Sequence, residues 1–238
     1  MIEFSQRDGI ARITLDTPQT GNRFTYALML DFIAALREAA DARVLVIAAR
    51  GADFTLGRDQ KDKPAGVSPR QNLGLILEAN ALLRGFAGVS VALVNGRALG
   101  FGSGISLHST ISLAADDAVL GFDEIEHNLA PLVVVAYLPY FISPRVADEL
   151  VLTGREVRAG EAERIGLVTR VVPAARLAEE GEALVRQLAA RPAGALRLIR
   201  DYSRGLPGYP AAEKSEEAVE RLAQWLEAGR PDQPASAR

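Results

Sequence analysis

Apolar and polar residues alternate along Ile2–Phe4 and Ile10–Leu15, on either side of the polar turn Arg7-Asp8-Gly9. A period of two around a glycine turn predicts a β-hairpin. A loop over 16–24, carrying Pro18 and Gly21, ends that pattern, and a helical period replaces it. Leu28, Met29, Phe32, Ile33 and Leu36 recur at helical spacing behind Thr25, a residue type suited to the N-cap. Val44–Ala48 then reads as a buried strand, and 50–69 as a long polar loop. Loops of that length usually carry function or move. A helix is predicted over 70–86 and a strand over 90–94, followed by the glycine-dense turn Gly96–Gly104 and a resumed helical spacing to Leu107. Ile111–Ala114 is another strand, 116–131 reads as irregular, and a helix is predicted over 132–141.

Beyond residue 143 the pattern turns mostly helical. Ser143-Pro144 starts a helix with proline in its first position. A short helix over Gly160–Ile165 and a last strand over Leu167–Val172 follow, then helices over 175–190, 193–204 and 211–228. Pro231–Arg238 is a polar tail expected to fray. Strand–helix alternation first and helices afterwards predict an α/β core with a helical C-terminal part.

Composition narrows the chemistry. The chain has 238 residues, 48% of them hydrophobic and 24% charged, as in ordinary globular proteins. A net charge of −3 leaves no basic footprint for nucleic acid. Without cysteine there is no disulfide, thiol nucleophile or thiolate metal site, and two histidines, His108 and His127, offer little to a metal. The first residues lack the layout of a signal peptide and no apolar run is long enough to span a membrane, so a cytoplasmic location is expected.

Two glycine-bearing loops follow buried strands. In Gly96-Arg97-Ala98-Leu99-Gly100-Phe101-Gly102-Ser103-Gly104 the backbone can approach a ligand closely, and the helix after it begins with unpaired N–H groups that can stabilise a developing oxyanion. A dinucleotide fingerprint does not fit, because its third glycine falls on Ile105 or Leu107. A nucleophile elbow around Ser103 fails at Phe101 and Ile105. Phe54-Thr55-Leu56-Gly57-Arg58-Asp59 offers a second backbone donor, or else a plain surface loop. Glu124, between apolar neighbours, is a candidate acid/base if burial raises its pKa, or else a solvated carboxylate. The acidic run Glu213, Glu216, Glu217 and Glu220 reads as a solvated helix face.

Taken in order, these segments resemble the crotonase superfamily, the enoyl-CoA hydratase/isomerase family. Leu15–Thr25 is similar to its "LNRP…N-a-l" opening, Phe54–Asp59 to "F-x-x-G-x-D" and Val91–Gly102 to "a-v-N-G-x-a-x-G-G-G". Leu120–Pro131 is similar to "F-G-x-P-E-x-x-x-G-x-x-P", and Leu150–Gly154 with Ala159–Val172 to "LTG…a…A…GLV…V". Each motif is weak alone; the five come in order over nearly the whole chain. The resemblance implies a ββα spiral core over 1–175, a helical C-terminal region over 176–230 that drives trimer formation, and a flexible tail over 231–238. It implies an acyl-CoA thioester as substrate, coenzyme A entering as part of that substrate, no further cofactor and no metal. Carried over residue by residue, it makes Glu124 catalytic and the N–H groups of Arg58 and Phe101 the oxyanion donors. It puts Asn22, Phe24, Leu56, Gly57, Gly100, Gly104, Pro131 and Leu132 around the substrate. A homotrimer or dimer of trimers is the implied assembly.

The departures shape the expected reaction. Hydratases of the family carry two glutamates; the second matches Glu124, and the first falls on Gly104. Phe101 stands at the central glycine of the triple-glycine run, Arg58 at the first donor, and the bulky Leu132–Tyr137 replaces a small-residue stretch. A lysine frequent near the C-terminus is Ala228, with Arg230 as a substitute phosphate contact. With one carboxylate the expected chemistry is an enoyl-CoA double-bond shift. The alternatives are hydration or lysis with Asp123, Glu126 or His127 as second acid, and a non-catalytic CoA-binding member.

Overall fold

A computed structural model of the chain describes residues 1–205 and 212–228. Strands β1 (Ile2–Arg7) and β2 (Ile10–Leu15) form the expected hairpin. Its turn is Asp8-Gly9, with both residues at positive φ (53° and 77°), the backbone shape that matches strand twist. Helix α1 (Tyr26–Glu38) starts where Thr25 accepts a hydrogen bond from the N–H of Leu28, and it buries Leu28, Met29, Phe32, Ile33 and Leu36 as their spacing predicts. Strand β3 (Val44–Ala49) leads to α2 (Pro69–Gly85), whose start combines a proline in the first turn with a reciprocal capping box between Ser68 and Gln71.

Strand β4 (Val89–Val94), strand β5 (Arg97–Leu99) and helix α3 (Phe101–His108) follow, then β6 (Ile111–Ala115) and β7 (Val119–Gly121). After a 3-10 turn over Asp123–His127 come α4 (Leu132–Tyr137), α5 (Pro144–Thr153), β8 (Val157–Arg158), α6 (Ala159–Ile165) and β9 (Arg170–Val172). Helices α7 (Leu177–Ala189), α8 (Ala193–Arg204) and α9 (Ala212–Glu227) complete the described chain. The tail over 231–238 and Arg230 lie outside the described residues.

The strands fall into two sheets. Six are ordered β1-β2-β3-β4-β6-β9, parallel except at the hairpin; three are ordered β5-β7-β8. Single bridges, Thr55 to Ala98 and Phe24 to Arg58, add two further segments beside β5. The chain therefore steps from the large sheet to the small one after β4 and again after β6, the α/β spiral layering that the family resemblance implies. No helix of the described residues is long and apolar enough to cross a membrane.

Several boundaries differ from the periodicity. The span 116–131 is not wholly irregular: Val119–Gly121 pairs with β5, and three residues are too few to show a period of two. The turn after β4 contains β5 for the same reason. Leu167 and Val168 are buried but precede β9, so apolar character there reflects core position and not strand pairing. Helix α4 ends at Tyr137, and a 3-10 turn containing Pro139 replaces its last turn.

The core lies between α1, α2 and the large sheet and continues into α3. Phe24, Phe32 and Phe101 meet edge to face, with ring centroids 5.0 to 6.1 Å apart. Such pairs contribute about 0.5–1.5 kcal/mol each beyond area burial. The Phe101 ring is therefore absorbed by the core, which is how the fold tolerates a benzyl group at a position where glycine is usual.

Asn22 organises the loops at this end. It is fully buried at φ +53°, accepts from the N–H of Thr17 (2.8 Å) and donates to the carbonyls of Arg50 and Asp53 (2.9 Å each). Its side chain stitches the loop after β2 to the loop after β3. Replacing it leaves buried backbone groups unpaired and puts an unsuited residue in the left-handed region. We expect Asn22→Ala to lower stability by about 2–4 kcal/mol in urea unfolding.

Candidate active site

The site begins with strand register. In the small sheet Leu99 of β5 lies opposite Gly121 of β7, and one residue later the N–H of Gly100 donates to the carbonyl of Gly121 (2.9 Å). Two chain segments thus leave the sheet side by side. One becomes the first turn of α3; the other becomes the 3-10 turn that carries Glu124. Ser103 clamps them: its hydroxyl donates to the carbonyl of Ala98 (2.7 Å) or Gly121 (3.0 Å) and accepts from the N–H of Gly121 (3.1 Å). That fully buried network leaves no nucleophile at Ser103.

Gly100 is needed where it stands. Its φ is +50°, and a Cβ there would come 2.9 Å from Glu124 Oε1. Gly57 is the second close approach, at φ +75°, where a Cβ would press to 2.8 Å on the carbonyl oxygen of Leu99 and 3.7 Å from the backbone nitrogen of Phe101. The two glycine loops therefore touch through backbone.

The pairing of the 54–59 segment explains which N–H groups are spare. Phe24 donates to the carbonyl of Gly57 (2.9 Å) and accepts from the N–H of Asp59 (3.0 Å). In a parallel bridge of that kind Arg58 turns its own N–H to the other side. Phe101 opens α3, where a first-turn N–H has no intrahelical acceptor. Among the described residues neither N–H has a backbone partner.

Glu124 is a half-buried residue whose Oε2 is shut off from solvent without a hydrogen-bond partner. Burial raises its pKa from 4.5 to about 7, against the pull of its own backbone N–H, and the nearby Asp123 charge adds to the rise. The carboxyl is thus poised to gain or lose a proton near neutrality.

Glu124, Gly100, Phe101, Gly57, Arg58 and Leu56 all line one cavity of about 720 Å³, as does Pro131. Asn22, Phe24, Gly104 and Leu132, which the family pattern puts at the substrate, do not line it. Asn22 ties loops, and Phe24 sits fully buried in the aromatic cluster. Gly104 is one turn into α3 and screened by Tyr137. At Leu132 the helix turns Val133 and Val134 to the cavity instead. The Arg58 side chain is also not a free phosphate ligand. It donates to the carbonyl of Thr25 (3.2 Å) and to Asn72 Oδ1, and burial pulls its pKa down to about 10 against the opposing charges of Asp62 and Asp59.

The other candidate acids separate. Asp123 and His127 share a contact (Oδ2 to Nε2, 3.2 Å) at the cavity wall, whereas Glu126 is exposed and packs toward Gly154. Of the acidic run on α9, Glu220 accepts from Arg70 (3.1 Å) across to α2, on an exposed face. Sequence reasoning did not single out several cavity-lining groups, Leu222 and Leu226 of α9 among them, and named Tyr137 only as the end of a bulky stretch. Only the helical period of α9 hinted that its apolar face covers something.

Comparison with known proteins bears on the family and the fold. The sequence model of the family described as enoyl-CoA hydratase/isomerase matches residues 5–206. A Mycobacterium tuberculosis protein named "Probable enoyl-CoA hydratase EchA12" is 34% identical over 199 residues, 77% of this chain and 69% of that protein. The carnitinyl-CoA dehydratase of Escherichia coli K12 is 28% identical over 225 residues, 89% of this chain and 83% of the other. The crystal structure of a "probable enoyl-COA hydratase" of Mycobacterium thermoresistibile superposes with a TM-score of 0.83 at 26% identity, covering 96% of this chain and 97% of that one. The paired glycine loops, the buried glutamate beside them and the match over most of the chain lead to one conclusion: this chain belongs to the enoyl-CoA hydratase/isomerase family of the crotonase superfamily.

Proposed function

We propose that the cavity binds an acyl-CoA thioester and that Glu124 moves one proton on its acyl chain, shifting the double bond of an enoyl-CoA. The observation that carries this reading is the Glu124 carboxyl, one oxygen of it buried and unpartnered, beside the two glycine loops. The thioester oxygen accepts from the N–H groups of Arg58 and Phe101. Ionised Glu124 takes a proton from Cα of a 3-enoyl thioester; the electron pair spreads over the dienolate and its oxygen. The same carboxylic acid returns the proton to Cγ, leaving the conjugated 2-enoyl thioester, with nothing gained or lost. Donors held in place by the fold stabilise the oxyanion by about 3–4 kcal/mol each. Arg23 and Lys63 on the cavity wall give the anionic end of coenzyme A its cationic neighbours.

Hydration or dehydration is the second reading, favoured by the names of the relatives and by the Asp123–His127 contact at the same cavity wall. We also propose that the homotrimer, or dimer of trimers, uses the face of α8 where Leu198, Ile199 and Tyr202 are 72%, 60% and 72% exposed. Light scattering should return a trimer or hexamer mass, and Tyr202→Glu with Leu198→Glu should lower it; a wild-type monomer at micromolar concentration removes this part of the reading.

Four measurements test this reading. Glu124→Gln should cut turnover of a 3-enoyl-CoA by about 10³-fold while coenzyme A thioester affinity by calorimetry changes little; retained turnover rejects the assignment. In the wild type, kcat/KM should climb with pH and level off above about 7, as the raised carboxyl ionises. The same substitution should affect stability with a defined sign. Because the folded pKa is raised, folding favours the protonated acid, so wild type and variant differ little below the ordinary carboxylate pKa of 4.5. As pH rises to about 7 the wild type should lose up to about 3 kcal/mol relative to Glu124→Gln, read by urea unfolding at pH 5 and pH 8. Finally, Phe101→Pro deletes a donor at a helix position that accepts proline, and Phe101→Ala deletes only the ring; kcat of the proline variant should be about 10²–10³-fold the lower.

A further inference from the structure

Gly104 faces Tyr137. A Cβ built at position 104 would lie 3.1 Å from the Tyr137 hydroxyl oxygen and 3.9 Å from the ring carbon that bears it. That separation is tighter than ordinary carbon–oxygen contact, so the phenol must give way before a side chain can stand at position 104. Tyr137 is 2% exposed, yet it borders the same cavity as Glu124 and Phe101. It is held from behind by His108 and Phe141, whose ring centroids are 4.5 and 6.3 Å from its own. His108 is buried and kept neutral, since burial and the neighbouring Arg84 charge hold its pKa well below 6.5. The phenol is therefore backed by rings and cannot swing away.

Building on the isomerase reading above, we propose that the Gly104–Tyr137 pair sets which reaction the site performs: the phenol fills the space that a second acid–base side chain and its water would need. The addition of water to a 2-enoyl thioester is thus latent in this fold and blocked by one side chain. Hydration needs two proton carriers. One carboxylate takes a proton from water as the oxygen bonds to Cβ; the π pair moves to Cα and the thioester oxygen; a second acid then protonates Cα. Tyr137 is ill suited to be that acid, because burial and the Glu124 charge push its pKa far above the usual phenol value. A neutral phenol that keeps its proton puts no second carrier at the Gly104 side of Glu124. It also keeps bulk water from exchanging with the proton that Glu124 holds between Cα and Cγ.

The test compares wild type, Tyr137→Phe, Tyr137→Ala and the double variant Gly104→Glu/Tyr137→Ala, each checked for folding by circular dichroism. A 3-enoyl-CoA and a 2-enoyl-CoA are supplied in deuterated water, and products are resolved by mass. Tyr137→Phe should still form no water-added product, because Gly104 still offers no second acid. Tyr137→Ala should raise solvent deuterium in the isomerised product at least threefold. The double variant should add water to the 2-enoyl-CoA at least tenfold faster than wild type. Unchanged deuterium uptake in Tyr137→Ala overturns the proposal, as does a folded double variant that adds no more water than wild type. So does a Tyr137→Phe that loses isomerisation as Glu124→Gln does, for then the hydroxyl itself carries chemistry. If the double variant does not fold, the deuterium readout decides. A wild type that leaves the 3-enoyl-CoA untouched sinks the isomerase reading alone, since water addition by the double variant still judges the pair.

Discussion

A single backbone hydrogen bond, from Gly100 N–H to the carbonyl of Gly121, is the hinge on which the site depends. It extends the β5–β7 register by one step past the sheet, so that Phe101 and Glu124 leave adjacent strands at a fixed offset. Shift that register by one residue and every side chain on β7 changes face, carrying Glu124 away from the first turn of α3. The neighbouring features serve the same constraint. Ser103 ties the base of α3 to both strands, and Gly57 and Gly100 permit backbone contact where any Cβ would collide. The third edge of the cavity comes from the bridges of Thr55 to Ala98 and of Phe24 to Arg58, which align the second glycine loop with the first. The geometry of the candidate site is thus written mainly in backbone pairing, with few side chains free to vary it.

Packing and electrostatics divide the remaining work. The aromatic cluster of Phe24, Phe32 and Phe101 sits under the first glycine loop and absorbs a side chain that would otherwise intrude on the cavity. The low polarity of that layer, and of Tyr137 and Val134 opposite, is what raises the Glu124 pKa toward neutrality. Burial and proton exchange are linked in one direction here: the same desolvation that brings the carboxyl's pKa to about 7 costs the fold stability when it is ionised.

Much of this was legible in the sequence, though at uneven depth. The start of α1 followed from Thr25 and the apolar period, and α2 was placed to within a residue at each end, because caps and periods are local properties. The two glycine loops and Glu124 were legible because chemistry of this type requires glycine and a carboxylate at fixed spacing. Three-residue strands such as β5 and β7 were not, since pairing partners far along the chain define them. The family pattern misled where a residue acts through structure: Asn22 reads as a ligand contact and proves to be a loop clasp, and Phe24 proves to be core. Tyr137 was visible only as one bulky residue in Leu132–Tyr137. Its relation to Gly104 is a contact between α3 and α4, and no spacing rule connects positions 33 apart across two strands.

The C-terminal helices show why chain order alone is a poor guide to the role of a segment. Helix α7 lies against β3, β4 and β6, and α9 returns across the molecule to pack on α2 and α4. Leu222 and Leu226 thereby close the cavity that opens between the glycine loops and α4, so residues more than ninety positions from Glu124 share its pocket. Helix α8 does the opposite. It buries little of its surface beyond Arg200 and presents Leu198, Ile199 and Tyr202 outward. Both helices are amphipathic, and period alone would treat them alike. The difference is set by where the preceding turn delivers each apolar face: α9 finds a groove in its own chain, whereas α8 leaves an apolar surface uncovered at a cost that association with other copies would remove.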